Sequence, residues 1–88
     1  MIEDIREAIE QFREAEQLYR EGDCREALHL LHELAYYVTS NRAKTTVPAE
    51  ELEPLTTQVR RAIAGYQSCD DECAWESASG LMDLFRQA

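Results

Sequence analysis

The chain has 88 residues, of which 44% are hydrophobic and 31% charged, and its formal net charge is −9, from eighteen acidic and nine basic residues. This length suits one domain. The acidic balance argues against direct binding to nucleic acid or to an anionic membrane, because phosphate groups are bound by clustered Lys and Arg. No stretch approaches the ~18 consecutive apolar residues of a membrane span, and the acidic N-terminus does not resemble a signal peptide. We therefore expect a cytoplasmic protein with reduced cysteines and a protein partner.

A first amphipathic helix is predicted over residues 2–20. Its apolar residues recur at steps of three and four, and charged residues of both signs alternate between them. The stripe consists of Ile2, Ile5, Ile9, Phe12, Ala15 and either Leu18 or Tyr19. Gly22 supplies the left-handed conformation that ends a helix, and Asp23, with Glu26 three residues later, resembles a capping box. The sequence thus predicts a tight turn into a second helix.

The second helix, over residues 24–39, carries an apolar face and additional apolar residues beside it. The face consists of Cys24, Ala27, Leu28, Leu31, Leu34, Ala35 and Val38. Leu30 and Tyr37 widen the apolar surface on one flank. A helix that is apolar over so much of its circumference contacts more than one neighbour. We expect it to be the central element and to retain uncovered apolar surface in so short a chain.

The second half predicts a loop and two more helices. Residues 40–48 have no hydrophobic period and read as a loop, in which Arg42 and Lys44 form the one locally basic spot. Helices are predicted over residues 51–66 and 71–86. Pro54 suggests either that the first of these begins near Glu51–Pro54, or that a short turn at Pro48–Glu51 precedes a kink. The resulting fold class is all-α, a small antiparallel four-helix bundle forming a single domain over residues 1–88.

The segment from Phe12 to Val38 resembles a single tetratricopeptide repeat, a pair of antiparallel helices with small residues where they cross. The matching residues are Ala15, Leu18, Gly22, Asp23, Glu26, Ala27, Leu28, Leu31 and Leu34. Cys24 stands where the family usually has an aromatic residue, and the pattern is not repeated later in the chain. The resemblance implies a helical hairpin, and it also implies a peptide-binding role. A tandem array needs at least ~3 repeats, so it does not imply a solenoid.

Residues that could carry chemistry are few. Glu26 and His29 form a single Glu-x-x-His motif, whereas a carboxylate metal site in a bundle needs several convergent ligands. His29 is expected to face outward, opposite the Leu31 stripe. Cys69 and Cys73 could lie one turn apart, but the chain supplies too few further ligands for zinc. We predict no enzyme activity, no metal site and no cofactor, with a metal-binding or phosphorelay component using His29 and His32 as an alternative.

The remaining candidates are aromatic and acidic residues that could contact a partner. The four tyrosines and the one tryptophan are too many for so small a core, and exposed aromatics are enriched at interfaces. They are Tyr19, Tyr36, Tyr37, Tyr66 and Trp75. The predicted partner-binding residues are Leu30, Tyr36, Tyr37, Trp75, Glu50, Glu51 and Glu53. They predict a non-catalytic adaptor or chaperone-like module that binds a protein. The net charge of −9 is compatible with a basic partner, and a homodimer is also possible. The alternative is an acidic inhibitor or decoy that blocks a nucleic-acid-binding protein.

Overall fold

A computed structural model describes residues 2–65 and 72–87 of the chain, with side chains given for 2–65 and 78–86. These residues form five helices and no strand, so the all-α prediction is confirmed, although four helices were expected. The helices are α1 (Ile5–Arg20), α2 (Cys24–Val38), α3 (Asn41–Thr46), α4 (Ala49–Gly65) and α5 (Glu72–Gln87). None of the helices within the described residues has the length and apolarity needed to cross a bilayer.

The turn between α1 and α2 forms as its local chemistry predicts. Gly22 has a φ of +89°, the left-handed conformation that glycine adopts without steric penalty. Asp23 caps α2, because its side chain accepts a hydrogen bond from the backbone N–H of Glu26 at 3.3 Å. The start of α1 is capped in the same way, with Asp4 accepting from Glu7 at 2.9 Å, so that α1 begins at Ile5 rather than at residue 2.

The predicted loop over residues 40–48 is wrong, since α3 occupies most of it. Ser40 caps this helix by accepting from the backbone N–H of Ala43 at 3.2 Å. Ala43 is fully buried and Val47 is 8% exposed, so both side chains belong to the core. A helix of six residues is too short to display a hydrophobic period. Its formation depends instead on the cap and on burial against the helices beside it.

The fourth helix begins two residues earlier than predicted and continues through Pro54. The carbonyl of Pro48 accepts from the N–H groups of Glu51 and Leu52, both at 3.0 Å, so the first turn is already formed there. Pro54 has no N–H to donate to the carbonyl of Glu50. Because Glu50 is exposed, water can solvate that carbonyl. The interruption expected at Pro54 therefore does not end the helix.

The second helix is the centre of the packing, as its sequence predicts. It contacts each of the other four helices. The largest fully buried side chains of the described residues are Leu31, Leu34, Val38, Val59 and Ile63. Full burial of an aliphatic side chain of this size stabilises a fold by about 1.5–3 kcal/mol. This core fixes the orientation of α2 and therefore which of its residues reach the surface.

Candidate partner-binding surface

An open groove of about 470 Å³ lies where the C-terminal half of α2 meets α3 and the segment before α1. We call it the tyrosine groove. Its lining includes Ile2, His32, Glu33, Tyr36, Tyr37 and Arg42. Two of the residues predicted to bind a partner, Tyr36 and Tyr37, are thus brought together. The other four are contributed by α2, α3 and the N-terminal segment.

Tyr36 is the most prominent side chain of the groove. It is 55% exposed, the largest exposed fraction among the large hydrophobic side chains of the described residues. Its ring centroid lies 4.9 Å from that of His32, with the two planes tilted by 35°. The two residues are one turn apart on α2, so the helix itself brings the rings together. The contact restrains the Tyr36 ring on one side and leaves much of it available to another molecule.

Tyr37 lies in the same groove but is buried, with only 8% of its surface exposed. Burial raises the pKa of its phenol above the ordinary value of 10.0, and the negative charge of Asp4 raises it further. The expectation that Tyr37 adds to an uncovered apolar flank of α2 is therefore wrong. Ala43 of α3 and Val47 after it are core residues that the four-helix prediction did not include, and Ile2, expected in the apolar stripe of the first helix, is 6% exposed.

Leu30 is only partly exposed and packs against the core, outside the tyrosine groove. Its carbonyl accepts a hydrogen bond from the side-chain amide of Gln11 at 3.0 Å. The same amide nitrogen donates to Oε2 of Glu33, also at 3.0 Å. Oε1 of Glu33 lies 3.7 Å from Nε2 of His29. Gln11 therefore joins α1 to α2 and holds a carboxylate at the edge of the groove.

The opposite edge of the groove depends on α3, the helix that the sequence did not predict. The guanidinium of Arg42 donates to the backbone carbonyl of Glu3 at 3.2 Å. This bond joins the segment before α1 to α3. The basic character of Arg42 was visible in the sequence, but its position beside Tyr36 and Ile2 follows only from the fold. Arg42, Ile2 and His32 are groove residues that the sequence did not indicate.

The predicted acidic residues lie on a different surface. Glu50, Glu51 and Glu53 are all exposed in the first turns of α4, where carboxylates complement the helix dipole. Glu53 lines a second groove, together with Lys44 and Arg60. The predicted aromatic and acidic contacts thus do not form one continuous site. The side chain of Trp75 lies outside the described residues.

The two histidines lie on the exposed face of α2, and the side chain of His29 is 67% exposed, as its expected outward orientation requires. Within the part of the chain that the structure describes, no group of three or more His, Cys, Asp or Glu residues is placed to hold a metal ion. The thiol of Cys24 is half-buried against the core. Tyr66, Cys69 and the side chain of Cys73 lie outside the described residues.

No family model, no curated protein and no solved structure matches the chain.

Proposed function

We propose that the protein is a non-catalytic interaction module that docks a partner protein in the tyrosine groove. The observation that carries this proposal is the exposure of Tyr36 in a concave surface of about 470 Å³. Tyrosine is among the residue types that contribute most to binding energy at protein interfaces. A ring already restrained by His32 loses less side-chain entropy on binding than a freely rotating one.

The chemistry of the groove fits a partner that inserts a basic or aromatic side chain. The exposed face of Tyr36 attracts a cation through its π electrons. The Glu33 carboxylate, held by Gln11, offers an acceptor at the same edge. The net charge of −9 favours the approach of a positively charged protein and increases its association rate. These features support an adaptor or chaperone-like role for a partner of basic character.

We further propose that α1, α2, α4 and α5 form an antiparallel four-helix bundle, with α3 as part of the connection between α2 and α4. In support, α2 contacts α1, α4 and α5, and α4 contacts α5. We also propose that the α1–α2 hairpin is a tetratricopeptide-like unit. Its small residues Ala15 and Ala27 are 2% and 0% exposed, which suits a close helix crossing. This unit presents the outer face of α2.

Affinity capture from the cells that make the protein tests the proposed function. The full chain, a Tyr36→Ala variant and a Tyr19→Ala variant are compared by quantitative mass spectrometry. Tyr19 is 45% exposed on α1, outside the tyrosine groove, so its replacement removes a similar exposed ring. We expect at least one protein to be retained by the wild type and by Tyr19→Ala and to be depleted about tenfold with Tyr36→Ala. Equal recovery of every captured protein on the two variants contradicts the proposal.

A second candidate function is an acidic inhibitor that occupies a nucleic-acid-binding protein. The exposed carboxylates of Glu50, Glu51 and Glu53 favour it, because they present negative charge on a rigid helix. In this case the captured partner binds nucleic acid, and its affinity for the chain falls steeply as salt increases. Affinity that is indifferent to ionic strength excludes this function. The same result does not contradict the docking of a partner at Tyr36.

A further inference from the structure

The charges of the chain are segregated along the sequence. All eighteen acidic residues lie outside two stretches, residues 34–49 and 54–69. These two stretches contain four basic residues, Arg42, Lys44, Arg60 and Arg61. An acidic protein thus includes two segments that are locally positive.

The fold brings parts of both segments together at one groove, on the surface that also includes Glu53. Helix α3 contacts both α2 and α4, and a groove of about 480 Å³ runs between them. Lys44 of α3 and Arg60 of α4 line it, and both side chains are exposed. We call this surface the basic groove. It is distinct from the tyrosine groove, with which it shares no lining residue.

The lining of the basic groove also contains apolar side chains, together with the threonines Thr39, Thr56 and Thr57. Val47 and Leu52 are 8% and 7% exposed, and Phe85 of α5 is half-buried beside them. Within residues 2–65 and 78–86, neither Lys44 nor Arg60 has a carboxylate within ion-pair distance. Both cations are exposed in this part of the chain.

Glu53 makes the distribution of charge along the basic groove uneven. It lies seven residues before Arg60 on α4. At 1.5 Å per residue, this spacing places it about 10 Å from Arg60 toward the N-terminus of the helix. The carboxylate opposes an acidic ligand at that end of the groove. An acidic ligand is thus favoured near Arg60 and disfavoured near Glu53.

We propose that the basic groove binds an acidic peptide segment of a partner protein. The carboxylates of the segment pair with Lys44 and Arg60, and a bulky apolar side chain packs on Val47, Leu52 and Phe85. Charge complementarity identifies this occupant, since Lys44 and Arg60 line one groove together with apolar side chains in a chain whose net charge is −9. A carboxylate pairs well with an arginine guanidinium through two parallel hydrogen bonds. Nucleic acid is a poorer occupant, because a phosphate backbone is bound by clustered Lys and Arg, whereas this groove has two cations and Glu53.

A displayed library of random dodecapeptides, selected on the full folded chain, tests the chemistry of the occupant. We expect enrichment of peptides that combine Asp or Glu with Leu, Ile or Phe. A fluorescein-labelled consensus peptide then serves as the probe in anisotropy measurements. The same peptide with Asn and Gln in place of its acids, and a labelled single-stranded oligonucleotide, are the comparison probes. Selection of peptides without acids, or tighter binding of the oligonucleotide, overturns the proposal.

Four variants locate the binding site. Lys44→Glu and Arg60→Glu are expected to weaken binding of the consensus peptide about tenfold each. Arg61→Glu makes the same change of charge at an exposed neighbouring residue that does not line the basic groove, so it is expected to change the affinity less than about threefold. Glu53→Gln is expected to strengthen binding. Circular dichroism confirms that each variant is folded.

Two results contradict the proposed site. In the first, Arg61→Glu weakens binding of the peptide as much as Lys44→Glu and Arg60→Glu do, which shows a general effect of charge. In the second, light scattering finds a dimer that Lys44→Glu dissociates, which shows that a second copy of the chain occupies the basic groove. The Tyr36→Ala variant is predicted to bind the consensus peptide with unchanged affinity. Failure at the basic groove is therefore distinguishable from failure at the tyrosine groove.

Discussion

The backbone N–H of Asp23 donates to the carbonyl of Leu18 at 2.9 Å across the turn between α1 and α2. The N–H of Gly22 donates to the carbonyl of Tyr19 at 3.1 Å in the same turn. Together these two bonds form a Schellman motif, which satisfies carbonyls that the end of α1 leaves free. The motif requires the left-handed backbone of Gly22, and it places the start of α2 directly beside the end of α1.

Replacement of Gly22 by Ala is predicted to lower the free energy of unfolding by about 1–2 kcal/mol. A Cβ at this position meets no neighbouring atom, so the loss comes from the positive φ and not from a clash. Gly80→Ala is the matched control, because Gly80 lies inside α5 with open space around it. That change is predicted to stabilise the protein by up to about 1 kcal/mol. Urea unfolding measures the free energy of unfolding of both variants. Equal effects of the two substitutions contradict the conclusion that the positive φ of Gly22 causes the loss.

Ser40→Ala is predicted to lower the free energy of unfolding by about 1 kcal/mol, because Ser40 caps α3. Its hydroxyl also donates to the carbonyl of Tyr37 at 2.6 Å. Thr45→Ala is the control, since the Thr45 hydroxyl bonds only to exposed carbonyls within α3. Hydrogen exchange should report faster exchange in residues 41–46 for Ser40→Ala. Unchanged exchange there in Ser40→Ala shows that the cap does not hold α3.

The pH dependence of stability is predicted to change in Tyr37→Phe. The pKa of the Tyr37 phenol is raised in the folded chain, so the folded state retains this proton at pH values where the unfolded chain has lost it. This pKa difference therefore contributes to the free energy of unfolding of the wild type below the unfolded pKa of about 10. The contribution is lost as the pH rises through the folded pKa. Urea midpoints from about pH 8 to about pH 11 should decline less for Tyr37→Phe than for the wild type.

Tyr36→Phe is the matched control for this titration, because Tyr36 is an exposed neighbour on the same helix. We expect it to follow the wild-type decline. If Tyr37→Phe and the wild type decline in parallel, the phenol of Tyr37 does not contribute to the pH dependence.

Much of the fold was predictable from the sequence because the features that fix it are local. The Gly22–Asp23 turn and the apolar stripes of the long helices each depend on a few residues near one another in the chain. Helix α3 could not be predicted because its six residues show no hydrophobic period. Its stability depends on burial of Ala43 and Val47 and on the contacts that α3 makes with α2 and α4.

The candidate site was predictable only in part, for the same reason. The exposure of Tyr36 is predictable, because the chain has more aromatic residues than so small a core can hold. The burial of Tyr37 and the contribution of Ile2 follow from α3 and from the bond between Arg42 and Glu3, which link residues far apart in the sequence. Periodicity gives the face of a helix to which a residue belongs, but not whether a distant segment covers that face.

Neutralising the acidic start of α4 is predicted to slow association of a basic partner. A triple variant with Gln at Glu50, Glu51 and Glu53 removes three exposed charges. The association rate measured by surface plasmon resonance is expected to fall several-fold at low salt and to change little at about 0.5 M salt. A second triple variant, with Gln at Glu10, Glu14 and Glu16 of α1, makes the same change in net charge elsewhere. Equal effects of the two triple variants show that only net charge matters.

The most direct test of the central claim is photo-crosslinking from residue 36 in the cells that make the protein. A photoreactive phenylalanine analogue replaces Tyr36 in one form of the full chain and Tyr19 in another, and cross-linked products are identified by mass spectrometry. Docking in the tyrosine groove predicts a discrete cross-link to a protein other than this chain from position 36, and none to that protein from position 19. The absence of any such product from position 36, or identical products from both positions, contradicts the claim.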